Sequence, residues 1–474
     1  MRRHGLLILG VGAILGGCTM VPKYERPVAP VSDVWPRGAT LTNATSTAAE
    51  IDWRDFFEDP RLKTLIERAL ENNRDLRVAA LRVEQARAQY RIQRSELYPG
   101  VQGEATRTRQ RFSGAVTAFN GGTILTTYTL DVGASYELDL FGRVRSLKLE
   151  ALEKYFASDE ARKSVQIALI SEVASQYLTL LHYRQAKAIG QQTLDAVQSS
   201  YELNRKSFEA GVASELDLQT AQAQVQTARV NIANYAQLLA QAENAFTLLV
   251  GEPLPKNLSS DQSLQQEHLL TDLPSGIPSE VLQRRPDVLA AEHTLKAANA
   301  DIGATRAAFF PRIVLTGSAG TASAKLSDLF TGPSATWSFA PQITIPIFDV
   351  GGTRGKLAVS KIGRSIEIAN YEKAIQTAFR EVADALAVRS IIDEKLQAQQ
   401  LLLEAQQKRF DLTNARYRQG VDNYVAVLLA QQDLYVAQQS LLQFQAARLL
   451  NGVALYRSLG GGWNSRDAQN FSEN

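Results

Sequence analysis

Residue types that carry chemistry are thinly spread in this chain. Its four histidines, His4, His182, His268 and His293, fall at no metal-ligand spacing, and Cys18 is its one cysteine. No zinc site and no thiol–imidazole pair is therefore expected. The run Gly351-Gly352-Thr353-Arg354-Gly355-Lys356-Leu357 superficially resembles a phosphate loop. Its first glycine stands one residue too close to Gly355-Lys356, and Leu357 replaces the required hydroxyl residue. It reads as a strand-to-helix junction. Arg285-Pro286-Asp287 reads as a helix start, with proline in the first turn and an acid near the positive end of the dipole. The sequence thus predicts a non-enzyme with no catalytic residue, cofactor or metal. Lys+Arg (51) nearly balance Asp+Glu (49), so no global field points to nucleic acid.

The chemistry that remains belongs to Cys18. Arg2 and Arg3 precede an apolar stretch from Leu6 to Gly17. That stretch is too short to span a bilayer, which takes roughly 20 apolar residues, and residues 1–17 read as a signal peptide. Leu15-Gly16-Gly17-Cys18 resembles a bacterial lipobox, in which the cysteine is acylated as the first residue of the mature chain. Thr19 follows, rather than the aspartate of an inner-membrane retention signal, so outer-membrane sorting of a Gram-negative lipoprotein is expected. A lone cysteine leaves no intramolecular disulfide.

The elements around it are of two kinds. After export no segment is apolar enough for a membrane helix, so a membrane span must be a β-barrel. Tyr128, Leu130, Val132, Ala134, Tyr136, Leu138 and Leu140 alternate with Thr127, Thr129, Asp131, Gly133, Ser135, Glu137 and Asp139. That length suits a membrane strand. Trp337, Phe339, Ile343, Ile345 and Ile347 form the apolar face of a second such strand, and partner strands are predicted at roughly 100–111 and 312–323. A soluble, half-buried sheet would show the same alternation. From about 143 to 208 and from about 353 to 418 there is no proline, and apolar residues recur at helical spacing. Each run could reach roughly 100 Å. The runs turn at Gly211-Val212 and Gly420-Val421 and return, rich in Ala and Gln, to about 249 and 457. Such return helices suit the wall of a water-filled tube or an ordinary coiled coil.

The two halves match. Gly142, Glu172, Gly211-Val212 and Gly251 recur as Gly351, Glu381, Gly420-Val421 and Gly460, all 209 positions on. Ala79, Arg94 and Pro99 recur as Ala291, Arg306 and Pro311, 212 positions on. The expected organisation is a lipid-anchored extended segment 18–60, repeats at 61–260 and 261–460, and a flexible tail 461–474. Within the repeats, β-hairpins at about 100–140 and 312–348 precede helical hairpins at about 143–249 and 353–457. Four membrane-type strands cannot close a barrel, and an open edge in lipid leaves unpaired backbone groups. Copies must therefore assemble, and three copies would supply about twelve strands, enough for an open pore.

These residues carry a resemblance to the TolC-type outer-membrane channels, most closely to their OprM-type lipoprotein branch. It rests on Val21-Pro22-Lys23-Tyr24-Glu25-Arg26-Pro27, Glu137-Leu138-Asp139-Leu140-Phe141-Gly142-Arg143, Arg284-Arg285-Pro286-Asp287, Phe309-Phe310-Pro311, Pro346-Ile347-Phe348, Arg416-Tyr417-Arg418-Gln419-Gly420-Val421 and Gly460-Gly461-Gly462-Trp463. The resemblance covers essentially the whole mature chain. It implies an α+β membrane protein: a homotrimer with a 12-stranded β-barrel, four strands per chain, continuous with a 12-helix periplasmic α-barrel built from two tandem repeats. An equatorial region would fall in the stretch 250–285 and at the chain ends.

The function implied is a passive multidrug efflux duct. Its partners would be a periplasmic membrane-fusion adaptor, a proton-driven inner-membrane pump of the RND type, and outer-membrane lipid. In the family the two tip turns contact the adaptor, here Gly211, Val212, Gly420 and Val421. The periplasmic gate would draw on Tyr417, Asp422, Tyr424, Glu215 and Asp217. Tyr417 matches a tyrosine that helps hold the tip closed. Many relatives carry two acidic residues three apart after the second turn, where this chain has Ala426 and Leu429. A mixed gate of Tyr424 and apolar residues is the expectation, with plain helix packing of Tyr424 and Leu429 as its alternative. Met1 and Met20 are the only methionines, which favours drug or solvent export over copper or silver. The rival reading is a lipid-anchored periplasmic coiled-coil adaptor or scaffold, which leaves the alternating strands unexplained.

Overall fold

The computed structural model of the chain describes residues 19–32, 34–36, 51–113, 123–253, 263–264, 267, 269–270 and 283–462. Cys18, the predicted signal peptide 1–17, most of the stretch 250–285 and the tail beyond 462 lie outside the described residues. The elements in chain order are α1 (Trp53–Phe56), α2 (Pro60–Asn72), α3 (Arg74–Ser95), β1 (Gly100–Phe112), β2 (Thr123–Leu138), α4 (Arg143–Glu209), α5 (Glu215–Val250), α6 (Pro286–Ala307), β3 (Arg312–Ser323), β4 (Ala335–Thr344), α7 (Gly352–Arg418) and α8 (Tyr424–Ser458). Helices α4 and α7 are each 67 residues long and start 209 positions apart. Helices α3 and α6 are each 22 residues long and start 212 positions apart.

The chain divides into two compact units. The first (Met1–Val28, Arg82–Asp159, Ala290–Glu372) holds the strands, which form one antiparallel sheet in the order β1-β2-β3-β4. One row across it reads Gly103, Val132, Ala319, Trp337. Strand β4 ends at Thr344, short of the predicted Ile347, because Pro346 has no N–H to donate to a ladder. Pro341 lies opposite Leu315 inside β4, an edge strand of this sheet and the kind of strand in which proline is tolerated.

The strand-to-helix junctions in this unit are built by acids. The Asp139 carboxylate accepts from the backbone N–H groups of Val144 (3.1 Å) and Arg145 (2.9 Å), satisfying the first turn of α4. Glu137 takes both arms of Arg143 (2.8 and 2.9 Å) and the Nε of Arg312 (2.7 Å). The rings of Phe141 and Phe310 stack at 4.6 Å. At the second junction Asp349 accepts from the N–H groups of Gly351 and Thr353. The segment that resembled a phosphate loop thus starts α7, and a side-chain carboxylate takes the donors a phosphate would need.

The second unit (Ala29–Leu81, Glu160–Leu289, Lys373–Asn474) carries the larger apolar core. Asp52 and Asp59 cap α1 and α2 through the N–H groups of Arg54 (2.9 Å) and Arg61 (2.8 Å). Those two short helices drive Trp53, Phe56, Phe57, Leu62 and Ile66 into a cluster with Tyr177, Leu180, Phe246 and Tyr456. Phe56 stacks on Tyr456 at 4.0 Å, nearly parallel. Pro286 is the first residue of α6, as predicted. Arg285 beside it is buried and donates to Asp287 (2.7 and 3.0 Å), to Glu381 of α7 (2.7 Å) and to the Ser458 carbonyl of α8 (2.8 Å).

Candidate functional site: a lipid-type sheet face and a helical tip

Two features could act, one in each unit. In the sheet, period-two alternation places Val101, Leu130, Val132, Leu315, Trp337, Phe339 and Ile343 on a single face. Trp337 is 82% exposed, Phe339 63% and Ile343 61%. The opposite face carries Glu104, Asp131, Thr129, Ser318, Ser338 and Gln342. Both faces of the edge strands are exposed, and large apolar residues gathered on one face with polar ones on the other suit a wall between lipid and water. No helix among the described residues is long and apolar enough to cross a membrane.

In the second unit the tip turns join α4 to α5 and α7 to α8. Gly211 (φ 74°) and Gly420 (φ 75°) adopt the left-handed conformation that glycine enters without a Cβ penalty. At the first turn Gly211 N–H donates to the Phe208 carbonyl (2.8 Å) and Val212 N–H to that of Ser207 (2.9 Å). At the second, Gly420 donates to Tyr417 (2.9 Å) and Val421 to Arg416 (3.0 Å). Both are Schellman stops, which satisfy the last helical carbonyls. Helix α5 then restarts on a capping box: Asp217 N–H donates to Ser214 Oγ and Ser214 N–H to the Asp217 carboxylate. Helix α8 restarts on Asn423, which accepts from Ala426 N–H at 3.0 Å.

The predicted tip residues take distinct places. Val212 and Val421 are exposed, and sequence reasoning missed their apolar neighbours Leu216 and Val425, also exposed. Exposed Glu215 opens α5, while Asp217 serves the capping box. Asp422 accepts two bonds from Arg416, a partner the sequence did not single out, and that guanidinium holds its carboxyl below the usual range. Tyr417 donates to Asn204 Oδ1 at 3.2 Å, and its ring lies 5.5 Å from that of Tyr424. Tyr424 is only 4% exposed and packs within one chain against Ala221, Val427 and Leu428. Burial pushes its phenol up to about 12. Leu429 is exposed and Ala426 half-buried. A cue to the first-turn cap was present as Ser214-x-x-Asp217; nothing local foretold the Asn204 contact, 213 residues from Tyr417.

Comparison with known proteins follows the same lines. A probable efflux pump outer membrane protein, TtgC of Pseudomonas putida, is 47% identical over 98% of this chain and 97% of its own length. Outer membrane protein OprJ of Pseudomonas aeruginosa is 42% identical over 97% and 96%. Among solved structures, the open state of the Neisseria gonorrhoeae MtrE outer membrane channel superposes with a TM-score of 0.85 at 38% identity, covering 94% of this chain and 98% of that one. A membrane protein from Pseudomonas aeruginosa gives 0.87 at 42%, covering 94% and 100%. The profile of the outer membrane efflux proteins matches in two segments, residues 65–252 and 277–461. With its lipid-type sheet and its paired long helices, the chain belongs to the outer membrane efflux protein family.

Proposed function

We propose that three copies of this chain form a passive exit duct across the outer membrane, each giving four strands to a 12-stranded barrel and four helices to a 12-helix periplasmic tunnel. One observation carries the reading: a four-stranded sheet exposes its apolar face and ends in two unpaired edges, β1 and β4. Backbone groups left bare in lipid cost several kcal/mol each, on the order of 2–7 by transfer measurements. Pairing β1 of one copy with β4 of the next satisfies both edges, and closure removes them altogether. The matched helix lengths and the two-segment family match support a tandem duplication, with repeats at 61–260 and 261–460.

In this reading Cys18 is acylated and anchors the chain. The turns at Gly211-Val212 and Gly420-Val421, with exposed Leu216 and Val425, dock a periplasmic adaptor that links the duct to an RND-type inner-membrane pump. The cargo is a solvent or antibiotic class of compound. Relatives named as toluene and antibiotic efflux pump outer membrane proteins, 47% identical, support that choice. The gate comprises Tyr417, Asp422, Tyr424, Glu215 and Asp217.

The test is biochemical. Full-length Cys18→Ala protein, expressed in a Gram-negative host, is expected to need detergent for extraction and to elute as three copies by light scattering. A water-soluble single copy would overturn the barrel.

A further inference from the structure

Strand β1 breaks the pattern of the face it helps to build. Arg107, Arg109 and Arg111 stand at alternate positions and lie opposite Tyr128, Thr126 and Ile124 of β2. They therefore share the face of Leu130, Val132 and Trp337, and all three are exposed. The other side of the same stretch holds Thr106, Thr108 and Gln110, with no charge. A merely solvated strand end would scatter its charges over both faces. The nearest carboxylates along the strand pair, Glu104 and Asp131, face each other on the opposite side. The Arg107 guanidinium lies 5.6 Å from the centre of the Tyr128 ring, an arrangement that holds a cation at an interface.

Depth follows from the register. From Tyr128 to Leu138 the apolar face of β2 runs about 34 Å at ~3.4 Å per residue. A tilt of about 45° brings that to ~24 Å, the height of a barrel's apolar band. Arg107 sits at the rim of that band. Arg109 and Arg111 stand beyond it by roughly 5 and 10 Å along the membrane normal. The side is set by the N-terminal segment. Met20 and Pro22 give their carbonyls to Arg306 (3.3 Å) and Asn299 (2.8 Å) of α6, the helix that leads into β3. The residues just after the lipid anchor are thus held at the helical end of the sheet, and the arginines stand at the other.

We infer that Arg107, Arg109 and Arg111 form a docking ladder for a phosphorylated glycolipid of the outer leaflet, lipopolysaccharide by chemical class; the inference rests on the barrel reading. Guanidinium groups bind phosphate through paired N–H donors. Three of them staggered over ~10 Å of depth exceed the single layer of phosphodiesters in a phospholipid surface. They match a headgroup that carries several phosphates at different levels.

The experiment uses the full-length protein in mild detergent, titrated with purified lipopolysaccharide, with the same lipid after phosphate removal, and with phosphatidylglycerol, and read by native mass spectrometry. The triple variant Arg107→Gln, Arg109→Gln, Arg111→Gln is expected to bind lipopolysaccharide at least about tenfold more weakly, given the contribution of each arginine at an anionic surface. The corresponding triple Lys variant should keep most of the affinity, and Arg87→Gln, in α3, should change nothing. Unchanged binding by the triple Gln variant overturns the ladder. Equal affinity for dephosphorylated lipid, or for phosphatidylglycerol, overturns the assignment of the headgroup. Each variant is first checked for detergent extraction at the wild-type size. Loss of that property in the wild-type chain itself would instead refute the barrel.

Discussion

Arg416 and Asp422 bracket the second tip turn as a two-pronged ion pair, Nε to Oδ2 at 2.7 Å and Nη2 to Oδ1 at 2.9 Å. At the corresponding positions of the first turn, 209 residues earlier, stand Ser207 and Ala213, which cannot make such a pair. The turns share a backbone stop but not a side-chain lock. If the tip closes the duct, Arg416→Ala should raise the resting conductance in planar bilayers by about two- to fivefold, modest because the pair is exposed. The Asp422 carboxyl titrates below its ordinary range because Arg416 stabilises its charge. Its contribution is therefore present above that range and is lost only as pH falls through the depressed value. Conductance should be flat from about pH 8 to 5 as far as this pair is concerned. A wild-type resting conductance in Arg416→Ala would remove the pair from the gate.

Tyr424 poses a separate question. Its ring is buried inside one chain against Ala221, Val427 and Leu428 and lies close to Tyr417. Truncation to alanine leaves a cavity of aromatic size, at a cost of about 3–5 kcal/mol. Tyr424→Ala should increase resting conductance by loosening the α7–α8 hairpin, whereas Tyr424→Phe should not. An unchanged conductance in Tyr424→Ala would leave the residue a packing role only.

Substitutions at Gly211 and Gly420 test the proposed docking role apart from assembly. No heavy atom lies within 4 Å of a Cβ placed at Gly211 or Gly420. A Cβ there meets no neighbour, and the substitution carries the backbone penalty of the left-handed conformation, roughly 1 kcal/mol. Gly211→Trp and Gly420→Trp should therefore assemble normally yet abolish drug resistance in an efflux-deficient host. Full resistance in both would count against adaptor docking at these turns. Gly251 offers a contrast, since a Cβ there would lie 2.5 Å from the Asn72 carbonyl oxygen; Gly251→Ala should destabilise the fold itself.

Arg285 ties three elements of the second unit together through Asp287, Glu381 and the Ser458 carbonyl. Removing a buried cation strands its partners, here partly exposed carboxylates, which moderates the cost to about 2–3 kcal/mol. Arg285→Ala should lower the melting temperature of the detergent-purified protein by several degrees. Arg285→Lys, lacking the planar fork, should recover only part. A wild-type melting temperature in Arg285→Ala would contradict the clamp.

Glu267 is buried beside Asp59, and burial first, then the Asp59 charge, lifts its carboxyl to about 7. A raised value means the folded state holds a proton that the unfolded chain, titrating near 4.5, releases. The stability this gives is complete below about pH 4.5 and is lost as pH rises through about 7. Between pH 5 and 8 the melting temperature should fall, and Glu267→Gln should flatten that slope. An identical slope in the variant would sink the assignment.

Much was legible from one dimension because the governing rules are local. Gly-Val turns, the matched prolines Pro99 and Pro311, and the alternation from Thr127 to Leu138 depend on steric preferences and on the two-residue and 3.6-residue periods. The boundaries of α4 and α7 accordingly fall close to the predicted ones. The alternation of Ile345 and Ile347 predicts a longer β4, and Pro346 ends it at Thr344. The roles of Asp217, Asp422 and Arg285 were less visible. Each is a charged residue whose meaning lies in its partner, and three of the partners of Arg285 and Tyr417 are 96, 173 and 213 residues away.

By itself the sequence determined the kinds of element and their order, since these follow from chirality, periodicity and proline or glycine placement. Tertiary structure decided which side chains meet: that Tyr424 turns inward while Val212 and Val421 stay in solvent, that Arg285 bridges α7 and α8, and that three arginines share the apolar face of the sheet. Those outcomes depend on register and packing between segments far apart in the chain, where a shift of one residue reverses every side chain from one face to the other.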